Sequence, residues 1–192
     1  MRKIVFDIET SNIFSEVGST NAADLDLALL VIHDSDTDMY STYTQENLNE
    51  LWPVIEKADV LIGFNSNHFD IPLLNKYYPG DLTQIKSLDI LEEIRTQYGR
   101  RMKLDQIAQG TLGMGKSGNG LESIQWWRNG EKQKVADYCK VDVEITKKVY
   151  DYAREHNLLK FKEGGKIHDI KLDTSKWEEN TGTPAITHTL PF

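Results

Sequence analysis

The order in which hydrophobic patterns follow one another restricts this chain more than any single residue does. Three short runs come first: Ile4-Val5-Phe6-Asp7-Ile8-Glu9, Leu27-Ala28-Leu29-Leu30-Val31-Ile32-His33 and Met39-Tyr40-Ser41-Thr42-Tyr43. Their β-branched and aromatic content, with the turn-rich Asp34-Ser35-Asp36-Thr37-Asp38 between the last two, predicts an antiparallel meander. Strands and helices then alternate. Leu48, Leu51, Trp52 and Ile55 recur at helical spacing within 45–57, with Thr44 as the expected N-cap. Asp59-Val60-Leu61-Ile62-Gly63 reads as a short buried strand. Phe69, Leu73, Leu74 and Tyr77 place a helix over 68–78 with Pro72 in its first turn, and 85–88 is expected as a fifth strand. Helical patterns follow at 89–98 and 104–112. The longest runs over 132–156 and carries Val135, Tyr138, Cys139, Val143, Ile145, Val149 and Tyr152 on one broad face. Segments 158–162 and 166–172, joined by Glu163-Gly164-Gly165, predict a β-hairpin. Strands first, then strands interleaved with helices, give an α/β fold: a mixed sheet with helices on its faces.

A chain of 192 residues suits one domain, here expected over 1–172, with 173–192 a loosely ordered polar tail carrying Pro184 and Pro191. No run approaches the ~18 apolar residues of a membrane helix. The start, Met1-Arg2-Lys3-Ile4-Val5-Phe6-Asp7, meets an acid too soon for a secretory h-region. Cys139 is the single cysteine, which excludes a disulfide framework and a cysteine-rich zinc site. A cytoplasmic location with no membrane partner is the resulting expectation. The net charge of −8 argues against tight nonspecific duplex binding, which needs many Lys and Arg contacts to phosphate. It does not argue against a nucleic-acid enzyme. Carboxylates that hold cations count as negative until the metal is included.

Three separated stretches place acids where such a fold can gather them. Asp7 and Glu9 close the first strand and, two apart, point to the same side. Asp70 stands just past the strand that ends at Gly63, near the start of a helix. Asp142 lies in the long helix with Tyr138 one turn before it, on the same face. Hydrolysis of a phosphodiester by two hard cations about 3.5–4 Å apart asks for oxygen ligands of this kind. Each acid also has a plain alternative: a solvated strand end for Asp7 and Glu9, a helix cap for Asp70. Those alternatives do not explain the set.

The ordered motifs carry a resemblance. Phe6-Asp7-Ile8-Glu9-Thr10 resembles the first exonuclease motif of the DEDD superfamily. Gly63-Phe64-Asn65-Ser66-Asn67-His68-Phe69-Asp70-Ile71-Pro72-Leu73-Leu74 is similar to the second motif of family B DNA polymerase proofreading domains, and Tyr138-Cys139-Lys140-Val141-Asp142 resembles the third, in its tyrosine subclass. The resemblance spans residues 6–142. It implies an RNase H-like fold, a mixed five-stranded sheet flanked by helices, and a 3′–5′ exonuclease. It further implies two Mg²⁺ or Mn²⁺ ions held by Asp7, Glu9, Asp70 and Asp142. Asp7 would bridge both ions, Glu9 and Asp142 would complete the site that activates water, and Asp70 would serve the second ion. Tyr138 would orient the water. Thr10, Asn65, His68 and Phe69 are the implied substrate-binding residues.

The implied substrate is single-stranded nucleic acid with a free 3′ end, DNA before RNA. The chain would act alone or supply proofreading in trans to a polymerase or repair complex. An exoribonuclease on the same scaffold and a non-catalytic nucleic-acid-binding module are the competing readings. Lys103-Leu104-Asp105-Gln106-Ile107-Ala108 starts a helix with a lysine that either lines the substrate channel or faces solvent. The glycine-rich 113–120 lacks the spacing of a phosphate loop and is expected as a flexible loop over the site. Trp126-Trp127-Arg128 either stacks bases and touches backbone or packs against the long helix. Cys139 is expected to pack.

Overall fold

A computed structural model describes residues 1–115 and 120–179. Its strands are β1 (Lys3–Thr10), β2 (Leu27–Asp34), β3 (Met39–Thr44), β4 (Val60–Gly63), β5 (Ser87–Asp89), β6 (Leu158–Glu163) and β7 (Lys166–Lys171). The helices are α1 (Phe14–Val17), α2 (Leu48–Ile55), α3 (Asp70–Asn75), α4 (Ile90–Tyr98), α5 (Leu104–Leu112), α6 (Gly120–Arg128) and α7 (Lys132–His156). Strands β3-β2-β1-β4-β5 form one sheet in that order. The meander β3-β2-β1 is antiparallel, while β4 and β5 join β1 in parallel. This is the expected mixed five-stranded α/β sheet. The hairpin β6–β7 forms its own two-stranded sheet, turning at Gly164 and Gly165 with positive φ at both.

Every residue of β2 is buried, because helices cover both faces of the sheet. Alternation along β1 sorts the two cores. Ile4, Phe6 and Ile8 pack with α2 and α3; Val5 packs with α4, α5, α7 and the hairpin. Asp7 and Glu9 share the parity of Val5 and therefore face the α7 layer. On that layer α5 lies directly on β6: a Cβ on Gly110 would sit 2.5 Å from Phe161 Cα. Glycine is what lets these two backbones meet.

Several local expectations shift. Asn47, not Thr44, is the N-cap of α2; its Oδ1 accepts the Thr44 N–H at 2.7 Å, so the chain turns before the helix begins at Leu48. The expected helix over 68–78 shortens to α3, because residues 65–69 form a turn closed by Phe69 N–H onto Asn65 O at 3.1 Å, with Asn65 at φ 67°. Part of the expected 113–120 loop, 116–119, lies outside the described residues, and α6 begins at its end. Residues 173–179, read from sequence as part of a polar tail, pack: Thr174 and Trp177 are buried. The remainder, 180–192, lies outside the described residues.

Candidate active site

Three elements bring acids to the end of β1. Asp7 and Glu9 point from β1 toward α7. Asp70 is the first residue of α3, just beyond the C-terminal end of β4, and its Oδ1 accepts the N–H of Ile8 at 3.1 Å. Tyr138 and Asp142 lie one turn apart on α7, both buried. Between them Cys139, wholly buried, donates its thiol to the main-chain carbonyl of Asp7 at 3.2 Å and lies 3.6 Å from Asp7 Oδ2. The expected packing cysteine thus also ties the helix to the strand. Ligand atoms of Asp7, Glu9 and Cys139 lie within 4.8 Å of one another; Asp70 and Asp142 stand outside that tight group but act on it electrostatically.

Burial is the main force on these groups. It pushes Asp70 up to about 8, with the negative charges of Asp89 and Glu9 adding to it and the backbone N–H of Ile8 opposing. Burial also pushes the Cys139 thiol well up, reinforced by Asp7, Glu9 and Asp142. A thiol held protonated is a poor metal ligand. The remaining donors are carboxylate oxygens on Asp7, Glu9, Asp70 and Asp142, a hard set that fits divalent cations of the Mg²⁺ or Mn²⁺ class.

Two recesses open in this region, and Glu9 walls one of them. One is apolar, about 590 Å³, and lined by Glu9, Thr10, Phe14, Phe69, Leu121 and Ile124. Phe14 and Phe69 meet edge to face at 6.1 Å between ring centres. The other is polar, about 220 Å³, with Asn65, His68, Asp89, Arg95 and Arg101 on its walls. Of the four substrate-binding candidates, Thr10 and Phe69 line the first and Asn65 and His68 the second. Thr10 turns its hydroxyl to Asn12 O at 2.9 Å, and Asn65 Oδ1 accepts from Arg101 at 2.7 Å.

A family model described as the RNase_H superfamily matches residues 4–154. The chain belongs to the RNase_H superfamily. Solved structures agree on its fold. The family B DNA polymerase of the hyperthermophilic archaeon Pyrobaculum calidifontis superposes with a TM-score of 0.62 at 18% identity, over 80% of this chain and 24% of the polymerase. The RNase D of Trypanosoma brucei superposes at 0.57 with 12% identity, over 78% of this chain and 56% of that one. The chain therefore spans about a quarter of the one and just over half of the other. No curated protein sequence matches it. Superfamily membership supports a hydrolytic nuclease that uses divalent metal ions.

This RNase_H-superfamily domain also holds two site residues that sequence reasoning missed. Asp89 is buried; its carboxylate accepts the backbone N–H of Asn65 (2.8 Å) and Asn67 (3.1 Å) and caps α4 through Leu91 (2.9 Å). It fixes the turn that delivers Phe69 and Asp70. A strand-ending aspartate before a helical run signals a cap, but its hold on 65–67 is tertiary. Ser123, buried on α6, donates its hydroxyl to Glu9 Oε2. No motif marks it. The two tryptophans of α6 are half-buried against the core, Trp126 edge-on to Tyr138 at 5.9 Å, and Arg128 pairs with Glu16 at 2.6 Å. The expected packing of the tryptophans is therefore seen, Trp126 against Tyr138 of the long helix. Lys103 is exposed at the start of α5.

Proposed function

We propose that this chain is a metal-dependent 3′–5′ exonuclease of the DEDD superfamily, tyrosine subclass, acting on the 3′ end of single-stranded nucleic acid, with DNA the preferred substrate. One observation carries the reading: Asp7 and Glu9 face the helix that bears Tyr138 and Asp142, while Asp70 is fastened to the same strand through Ile8. A purely structural domain gains nothing from gathering buried acids, since each raises the cost of ionising the next.

In this reading Asp7, Glu9, Asp70 and Asp142 would hold two Mg²⁺ or Mn²⁺ ions. When bound, the ions supply a water made acidic enough to attack at neutral pH and offset negative charge on the phosphate. Tyr138 orients that water by hydrogen bond. Phe14, Phe69 and Leu121 give the terminal base an apolar surface on which any base can stack. Asn65, His68 and Arg101 flank the neighbouring sugar-phosphate. A recess of this size beside buried acids admits one splayed terminus more easily than a stacked duplex end, hence the single-strand preference.

The test uses 5′-labelled single-stranded DNA and RNA with and without Mn²⁺, alongside Asp7→Ala. Metal-dependent shortening from the 3′ end, absent in the variant, supports the proposal. Equal inertness of both proteins sinks it and leaves a non-catalytic binding module. The fold shared with RNase D favours a second reading, an exoribonuclease, and the DNA-to-RNA rate ratio decides between the two. Supply of proofreading in trans to a polymerase or repair complex, and a cytoplasmic location, belong to the same proposal. No helix among the described residues is long and apolar enough to cross a membrane.

A further inference from the structure

Glu9 reaches the site from a strand, on a side chain that can rotate about its terminal bond, so something must choose which of its oxygens faces a cation. One neighbour of its carboxylate comes from α6. Ser123 is fully buried and its hydroxyl donates to Glu9 Oε2, with the Gly120 carbonyl oxygen also 2.8 Å from Oγ. Both partners are fixed: Glu9 is almost entirely buried, and Gly120 opens the helix that carries the serine. Leu121 and Ile124 of the same helix line the apolar recess beside Glu9. One helix therefore touches both a proposed metal ligand and the surface proposed for the terminal base.

We propose that Ser123 is a positioning residue for the metal site, holding Glu9 Oε2 so that the carboxylate meets the cation in one orientation. The inference rests on the reading of Glu9 as a metal ligand. Hydrogen-bonding partners behind a ligand set its direction and its basicity, and losing one typically costs 10–100-fold in metal affinity. A hydroxyl suits the task. It donates without bringing a second charge into a crowded acidic site, and a serine on a helix that packs against α7 has little freedom to move away.

The experiment measures Mn²⁺ binding to the full chain by titration calorimetry, which needs no turnover. Ser123→Ala is expected to weaken Mn²⁺ binding by roughly 10-fold, within the range for such partners. The Mn²⁺ concentration for half-maximal nuclease activity should rise in parallel, with the rate at saturating Mn²⁺ changed far less. The pair Ser123→Thr and Ser123→Val guards against a packing explanation, because these side chains have nearly the same shape and differ in the hydroxyl. Threonine should bind Mn²⁺ close to wild type and valine should behave like alanine. Equal Mn²⁺ affinity in the threonine and valine variants overturns the positioning role while leaving the metal site intact. A wild-type protein that binds no Mn²⁺ at all overturns the metal-site reading itself, a distinct result.

Discussion

Tyr138 shows how far a single residue can be taken. Its ring is held edge-on by Trp126, 74° between planes, so the aromatic body belongs to the core while the phenol oxygen is the part with chemistry to offer. Phenylalanine would keep the packing and lose only the hydroxyl. If Tyr138 orients the attacking water, Tyr138→Phe should lower the Mn²⁺-dependent rate by roughly 10²-fold, the lower end for a positioned proton-handling group. Thermal melting and calorimetric Mn²⁺ affinity should stay near wild type. A variant with full activity would remove the phenol from the mechanism. That Asp7 and Glu9 share one face of β1, and Tyr138 and Asp142 one face of α7, was legible in the sequence because strand and helix periods fix which residues share a face. The recess that each of Thr10, Phe69, Asn65 and His68 lines was not, because the turn at Asn65, with φ 67°, is held by tertiary hydrogen bonds from its backbone to Asp89 and follows no hydrophobic period.

Elements were legible where a hydrophobic period was strong. The meander, the parallel strands, α4, α5, α7 and the hairpin all carry clear stripes, and their boundaries moved by only a few positions. Helix α6 was missed for a physical reason: it buries only Ser123 and Ile124, so it has almost no stripe to read, and it follows a glycine-rich run that looks like loop. Asp89 presents the converse case, a residue whose local sign as a cap is visible while its grip on a neighbouring turn is not. Asp89→Ala leaves the N–H groups of Asn65 and Asn67 without their carboxylate and uncaps α4. A loss of about 3 kcal/mol is expected from unsatisfied buried donors and a missing cap. For a chain of this size that lowers the melting temperature by roughly 6–12 °C. Asp89→Asn should fall between, because one amide oxygen can replace Oδ1, the atom that serves Asn65 and Leu91. Burial already pushes the Asp89 carboxyl up, so a neutral group is tolerated there. Equal melting of the alanine variant and wild type would show that the turn closes without this side chain.

At the scale of the whole molecule, the acids sit at one end of β1 and a strap closes the other. Residues 173–179 pack on the α7 side of the sheet: Trp177 stacks on Tyr150 at 5.8 Å and donates to Glu93 at 3.0 Å. Glu178 accepts from Tyr150 (2.6 Å), Lys3 (3.1 Å) and Arg154 (2.9 Å). Polar composition hid this, since contacts between a terminal segment, β1 and α7 leave no periodic trace along the chain. The Tyr150 hydroxyl, with Lys3 and Arg154, holds the Glu178 carboxyl down to about 2, against an ordinary 4.5. A depressed carboxylate stabilises the fold at pH values above its unfolded pKa, and that contribution is lost as the pH falls through the folded one. Glu178→Gln should therefore melt below wild type at pH 5–8, and the gap should close between about pH 4.5 and 2. A third of the side chain is open to water, so screening limits the difference to about 1 kcal/mol, or roughly 2–4 °C. Salt should narrow it further. A gap of the same size at pH 2 and pH 7 would show that the ionised carboxylate of Glu178 is not what steadies the strap. Nuclease activity should not change with the substitution, because Lys3 and Thr10 stand at opposite ends of β1 and the acids lie at the far one.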